Sequence, residues 1–450
     1  MQLKKRRHGK VWRSLGMVTA NLFVATHGIA QAEGLANEPG TTSFDSAVLF
    51  YSEAGGRVQA IEPVASLRIN RENGSVFTAR LTYDSLTGAT PNGAAPWRTK
   101  QTFTEPTAPP GKSMTVTSAS GHQTIVTIPG TGTVVAQYTA NPHILPVDAG
   151  FKDTRYAFNT GYTAAWQSGT NTSIGFDISS ELDYSSYSVN AAISQAFNQK
   201  NTTLSLGVNF EYDESSPKFG IPTPLTEMNG LQKGPSDTKT VTSINAGITQ
   251  VMNRFWLMEL NYDIGWSNGY QTDPYKIVSM VDATTGMPLR YLYESRPDAR
   301  TRQSIYLANK IAIWSSVSDL AFRYYHDSWG INSITGELSV NIPITKHLYI
   351  EPETHYYKQS AANFFNYYLL DGATPQYASA DYRLSKFNAL TLGVKLGYTF
   401  SGNDEMYIMA ENYRQSGDKH IAGAPGDLAN ENFFSGIHST SIMMGINFKF

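Results

Sequence analysis

His326-Asp327-Ser328 places an imidazole, a carboxylate and a hydroxyl in three consecutive residues. Nucleophilic catalysis needs such groups to converge in space, with a third residue orienting the base. Neighbours on a strand point to opposite faces, so His326 and Asp327 line one site only if the strand has ended there. Glu351, Glu353 and His355 are spaced by two and share a face. They have the right types to ligate a metal, but no second cluster completes a shell, and a hydrogen-bonded patch is the simpler reading. No phosphate-loop, dinucleotide or metal-site motif occurs. No catalytic residue, metal ligand or cofactor is therefore assigned, and an enzyme is not expected.

A larger set of charges recurs at a spacing of two. The acids are Asp177, Glu181, Glu211, Glu259, Asp263, Glu337, Glu351, Glu353 and Glu411; the bases are Arg68, Arg80, Arg302, Lys310, Arg323 and Lys395. Each falls on the polar side of an alternating segment. If the other side meets hydrocarbon, where an Arg or Lys at mid-depth costs ~2–4 kcal/mol, these residues must face a wet interior. Mixed signs imply a lumen stitched by ion pairs or a narrow pore of modest selectivity, and no single-sign ladder names an ion preference.

The elements that position these charges are strands. About sixteen alternating segments have the ~9–11 residues that a tilted transmembrane strand requires. They lie near 44–53, 57–70, 75–86, 152–166, 171–182, 185–198, 201–213, 239–252, 255–267, 301–314, 318–328, 331–342, 346–358, 383–400, 404–416 and 437–450. Leu204, Leu206, Val208, Phe210 and Tyr212, for example, oppose Ser205, Gly207, Asn209 and Glu211. Connections after even-numbered segments are short, and the long ones (87–151, 214–238, 268–300, 359–382 and 417–436) all follow odd-numbered segments. Short periplasmic turns with longer extracellular loops are the pattern of an up-and-down transmembrane β-barrel, for which fourteen or eighteen strands remain alternatives. Trp166, Trp256, Trp266 and Trp314, with Tyr51, Tyr83, Tyr156, Tyr262 and Tyr398, read as interfacial anchors near strand ends.

Composition and both termini agree. Charged residues make up 16% and aromatic residues 12%, Tyr alone numbers 26, Cys is absent at 0, and the net charge is -2. Mean hydropathy is -0.30, and no run of about 18 apolar residues reads as a helical span. A net charge of -2 gives no reason to expect nucleic acid. Lys4, Lys5, Arg6 and Arg7 precede an apolar stretch and the small-x-small site Ala30-Gln31-Ala32, so 1–32 reads as a signal peptide. A short periplasmic segment, 33–43, and a barrel over 44–450 follow, with 87–151 as a long extracellular loop. Ile442, Met444, Ile446, Phe448 and Phe450 share one face of the last segment, which resembles the C-terminal signal of Gram-negative outer-membrane barrels.

The loops carry the remaining signal. Residues 87–151 are rich in Thr, Pro and Gly, poor in charge, and hold two alternating runs, Gln123–Ile128 and Thr133–Tyr138, which favours an external hairpin or cap. The segment from Thr272 to Arg300 alternates opposite charges and reads as a salt-bridged loop at the mouth. The blocks Tyr51–Val58, Leu81–Ala89, Phe151–Arg155, Asp273–Lys276, Tyr291–Asp298 and Tyr377–Leu384 together resemble the bacterial "domain of unknown function 3570" family across nearly the whole chain. That resemblance implies an exported outer-membrane protein and carries no catalytic residues. The same blocks place Asp84, Asp153, Arg155, Asp273, Lys276, Glu294, Arg296, Asp298, Arg300, Asp381 and Arg383 at the extracellular rim, where one charged ring would knit the loops into a lid. The expected function is a porin-like channel for small polar solutes. The alternative is a non-conducting barrel that docks a periplasmic lipoprotein or redox partner. Outer-membrane lipid and the barrel-assembly machinery are the expected partners in either case.

Overall fold

In a computed structural model, Thr42 and Phe450 exchange backbone hydrogen bonds of 3.1 and 2.8 Å, joining the first strand to the last. The structure describes residues 39–450 apart from 89, 105–115, 118–122, 125–136, 148–151, 218–219, 229–231, 401–403 and 435. The expected signal peptide and most of the 33–43 segment lie outside the described residues. The barrel strands are β1 (Thr42–Glu53), β2 (Val58–Asn70), β3 (Val76–Gly88), β4 (Lys152–Ala165), β5 (Thr170–Ser180) and β6 (Tyr184–Phe197). They continue as β7 (Thr202–Ser215), β8 (Asp237–Asn253), β9 (Trp256–Gly269), β10 (Ala299–Ile313) and β11 (Ser316–Asp327). The ring is completed by β12 (Asn332–Pro343), β13 (Leu348–Gln359), β14 (Phe387–Thr399), β15 (Glu405–Gly417) and β16 (His438–Lys449). Each pairs with its chain neighbours, and β1 pairs antiparallel with β16, Val48 opposite Met444, so the sheet closes.

Alternation decides which way each strand faces. Val208 on the outside is 49% exposed, whereas Glu211 on the other face is 6% exposed. Exposed Leu, Ile, Val, Phe and Tyr continue round the whole outer wall, among them Phe176, Leu260, Phe322, Leu392 and Met444. A closed ring leaves no unpaired edge, the condition for crossing hydrocarbon. An apolar exterior on such a ring is the architecture of an outer-membrane barrel. Trp166 and Trp314 stand out from turns at one end, and Tyr83 packs on Tyr156 with ring centroids 5.2 Å apart. Tyr51 departs from the expected anchors: it lies on the inner face and its hydroxyl donates to Glu53 at 3.0 Å.

Connections at one end are short (71–75, 166–169, 198–201, 254–255, 314–315, 344–347 and 400–404), and every long one lies at the other end. Some boundaries move. The barrel begins at Thr42 rather than residue 44, and the long loop begins at 89 because β3 runs to Gly88. The strand expected from residue 383 starts at Phe387, since Asp381 accepts a hydrogen bond from the Arg383 amide and caps a 3-10 turn over Tyr382–Leu384. Residues 125–128 and 133–136 of the two alternating runs of the 89–151 loop lie outside the described residues. Gln123–Thr124 pairs with Val116–Thr117, and Gln137–Ala140 pairs with Gln101–Thr104.

Candidate functional site

The long loops build a second folded layer at the outer end. A small sheet places Ile277–Val281 between Pro288–Tyr293 and Leu369–Leu370, joining the loop after β9 to the loop after β13. Ile277, Val278, Met280 and Val281 are all buried, although they belong to a loop. Ile277 packs with Ala94, Phe103, Ala140 and Tyr293. Val281 packs with Ala95, Trp97, Leu428 and Phe433, so the loops after β3, β9 and β15 share one apolar interior. Full burial of an Ile, Val or Phe side chain contributes about 1.5–3 kcal/mol, so these contacts hold the loops to one another.

Backbone contacts show how far the loops reach. Ile277 N donates to Asn92 O at 2.8 Å, and Ala95 N donates to Ser279 Oγ at 2.9 Å. Gly93 has φ +100°, and a Cβ there would lie 2.2 Å from the Ile277 carbonyl oxygen, so only glycine allows this approach. The first of these loops leaves the ring between β3 and β4 and the other between β9 and β10, six strands apart in a ring of sixteen. Segments rooted that far apart meet only by reaching beyond the ends of the strands between them. The loop after β7 joins through Tyr293 Oη, which donates to Met228 O at 2.8 Å, and the loop after β15 through Asp427 N and Thr285 O at 3.1 Å.

Beside this apolar layer lies a buried ionic cluster, its Lys276 and Glu294 next in sequence to Ile277 and Tyr293. Arg383 Nη2 reaches Asp273 Oδ2 and Asp381 Oδ2, each at 2.6 Å. Arg296 Nη2 reaches Asp381 at 2.8 Å, and its Nε lies 2.6 Å from Glu294 Oε1. Glu294 also accepts the Asp273 amide at 2.8 Å and the Ser379 hydroxyl. Lys276 Nζ donates to Thr90 Oγ1 at 2.6 Å and Pro91 O at 2.7 Å, which ties in the loop after β3. Burial alone would raise Asp381, but Arg383, Arg296 and Lys276 outweigh it and hold its carboxyl well below the usual range. Asp273 is likewise lowered against its burial by Arg383, Lys276 and Arg296. Burial wins at Glu294, whose pKa is raised, and at Lys276, whose pKa is lowered.

The single charged ring expected at the rim is instead two clusters. Asp84, Asp153 and Arg155 sit together at the tops of β3 and β4, Arg155 lying 3.9 Å from both Asp84 and Glu62. Asp153 accepts the Leu182 amide at 3.4 Å. Glu181, expected on the lumen wall, lies beyond the end of β5 in the rim turn 181–183. Burial and Asp153 push its carboxyl up to about 7. The Tyr275 hydroxyl donates to Asp183 and links the two clusters. Asp298 is exposed and joins neither. Arg300 pairs with buried Asp327 at 2.5 Å and lies 4.2 Å from the Trp329 ring centroid.

The other charges expected in the lumen lie on the inner face, opposite the exposed apolar residues. Lys310 pairs with Asp319 at 2.5 Å, and Lys395 pairs with Glu405 at 3.2 Å. The Tyr349 and Tyr407 rings also hold Lys395, at 5.3 and 4.4 Å. Arg323 lies over Tyr306 at 4.9 Å, Arg68 donates to Asn70 at 3.1 Å, and Asn245 donates to Asp263 at 2.7 Å. Asp177, Glu259, Glu351 and Glu411 accept from amide or hydroxyl side chains. Arg80 stands beside Asn159 of β4, Arg302 beside Gly265 of β9, Glu211 beside Val241 of β8, and Glu353 beside Gly393 of β14.

The two candidate chemistries separate. His355 Nε2 turns to Glu337 at 3.5 Å while Glu351 accepts from Asn341 at 3.0 Å. His326 Nδ1 lies 2.9 Å from Asn332, Asp327 binds Arg300, and Ser328 Oγ accepts the Thr301 amide at 3.0 Å, so the three take different partners. Sequence reading missed the acids Asp213, Asp319 and Glu405, the base Lys239 that pairs with Asp213 at 2.9 Å, and the whole apolar interior of the loops.

Solved structures similar to this chain include a bacterial polysaccharide outer membrane secretin, 8% identical, with a TM-score of 0.43, covering 91% of this chain and 99% of its own. CdiB from Acinetobacter baumannii is 8% identical, with a TM-score of 0.43 and coverages of 90% and 60%. OpdK from Pseudomonas aeruginosa is 8% identical, with a TM-score of 0.38 and coverages of 91% and 99%. No curated protein matches the chain in sequence. The family described as "Protein of unknown function (DUF3570)" matches residues 13–450, and the chain belongs to that family.

Proposed function

We propose that this barrel is a channel for small polar solutes whose outer mouth is closed by the folded loop layer and opens when that layer moves. The observation that carries the reading is the meeting of Asn92 and Ile277 from loops rooted six strands apart in the ring, backed by a buried ionic cluster rather than by loose loops. Permanently closed loops need only an apolar interior. Buried ion pairs add little net stability over apolar residues of the same size, yet breaking one is costly, which suits a structure with two defined arrangements. The inner face supports the same reading, since its charged and amide side chains favour a wet interior.

Purified, detergent-refolded chain in planar bilayers tests this. The reading expects discrete conductance steps with long closed periods, and more open time when Arg296→Ala and Arg383→Ala are combined. Silence in both proteins, with heat-modifiable migration showing an intact barrel, would overturn it in favour of a non-conducting barrel serving a periplasmic partner.

A further inference from the structure

Resting on the channel reading above, we infer that the lumen favours small cations over anions, and that Asp177, Glu259, Glu351 and Glu411 set this preference. Charge is unevenly distributed over the inner face. Among the described residues, β1, β5, β7, β9, β12, β13 and β15 turn only carboxylates inward, whereas β10, β14 and β16 turn only Lys or Arg inward. Several cations are bound to acids of their own: Lys239 to Asp213, Lys310 to Asp319, Lys395 to Glu405 and Arg300 to Asp327.

The four named carboxylates are held differently. Asp177 accepts from Asn159 at 2.6 Å, Ser188 at 2.9 Å and Asn190 at 3.1 Å. Glu259 accepts from Asn261 at 2.6 Å, Glu351 from Asn341 at 3.0 Å, and Glu411 from Ser441 at 3.0 Å. Amides and hydroxyls fix the position of a carboxylate without neutralising it, although Arg80 acts on Asp177 and Lys395 stands opposite Glu351 on the next strand. Arg68, Arg80, Arg302 and Arg323 temper the field but are outnumbered once the inward Asp45, Glu211, Asp263, Glu337 and Glu353 are added to the four. A wall of one predominant sign, bounded by low-dielectric lipid, concentrates counter-ions of the other sign.

The test is the reversal potential of single channels, or of the Arg296→Ala/Arg383→Ala protein, under a tenfold KCl gradient. The expected potassium-to-chloride permeability ratio is about threefold or more at 0.1 M salt. It should fall toward one near 1 M, where the Debye length shrinks from about 10 Å to about 3 Å. Asp177→Asn, Glu351→Gln and Glu411→Gln combined should lower the low-salt ratio at least twofold with unit conductance retained. A wild-type ratio at or below one, or an unchanged ratio in a conducting triple variant, would overturn the inference while leaving the channel intact. Absence of conductance would overturn the channel reading and this inference with it.

Discussion

Arg296 donates to Asp381 across 2.8 Å, and the two residues come from loops that leave the barrel after β9 and after β13. Asp381 is fully buried and also holds Arg383, so Asp381→Ala leaves two guanidinium groups without their shared anion. Removing one partner of a buried pair costs about 3–5 kcal/mol. The expected result is rapid proteolysis within 270–298 and 360–386, with heat-modifiable migration of the barrel unchanged. Loops as resistant as wild type would contradict the role given to this pair.

The same cluster should respond to acid. Asp381 and Asp273 have carboxyls lowered in the folded protein, so their stabilisation is complete above the ordinary Asp value of about 4 and is lost as pH falls below it. Glu181 has the opposite sign: its carboxyl is pushed from 4.5 up to about 7. Its contribution is complete below 4.5 and is lost as pH rises through 7. Hydrogen exchange of the loops against pH should therefore show protection falling at both ends. Glu181→Gln should reduce the loss near neutrality, and Asp381→Asn should reduce the acid loss, leaving the part due to Asp273, on a lower baseline.

Gly93 and Phe103 test the apolar layer separately from the charges. Gly93→Ala forces a Cβ to within 2.2 Å of the Ile277 carbonyl in a left-handed conformation. Phe103→Ala empties a site that is 0% exposed and should cost about 3–5 kcal/mol. Either change should loosen the loops after β3 and β9 in hydrogen exchange and leave strand amides protected.

Neighbouring positions on β7 test the facing of the wall. Val208→Lys places a charge among exposed Leu206 and Phe210 and should cost ~2–4 kcal/mol near mid-depth. Asn209→Lys, one residue along on the inner face, should cost less than half of that. Equal losses in urea titrations of refolding into lipid vesicles would contradict the assignment of faces.

How much of this was legible follows from the same physics. Strands in a lipid-facing barrel repeat every two residues, and a slip of one reverses every side chain, so Leu204 to Tyr212 could be read directly. The loops have no such period. Ile277-Val278-Ser279-Met280-Val281 is buried on both faces of a small sheet and therefore looks like a bare apolar run between turn residues. That run, with Tyr291-Leu292-Tyr293, was the available sign of a folded loop layer. Asp298 was read into the rim cluster by its neighbours in sequence. Pairing depends on which loops cross the mouth, and alternation along strands does not carry that information.

The most direct test of the proposed gate uses Ser295 and Ala378, which exchange backbone hydrogen bonds of 2.9 and 3.0 Å between the loops after β9 and β13. A hydrogen-bonded antiparallel pair sets its Cα atoms about 5.5 Å apart, within reach of a disulfide. The chain has 0 Cys of its own, so Ser295→Cys with Ala378→Cys introduces the sole pair. Single-channel recording before and after adding reductant should show a closed oxidised protein that gains openings when reduced. Equal open probability in both states would contradict a mouth that opens by parting these loops.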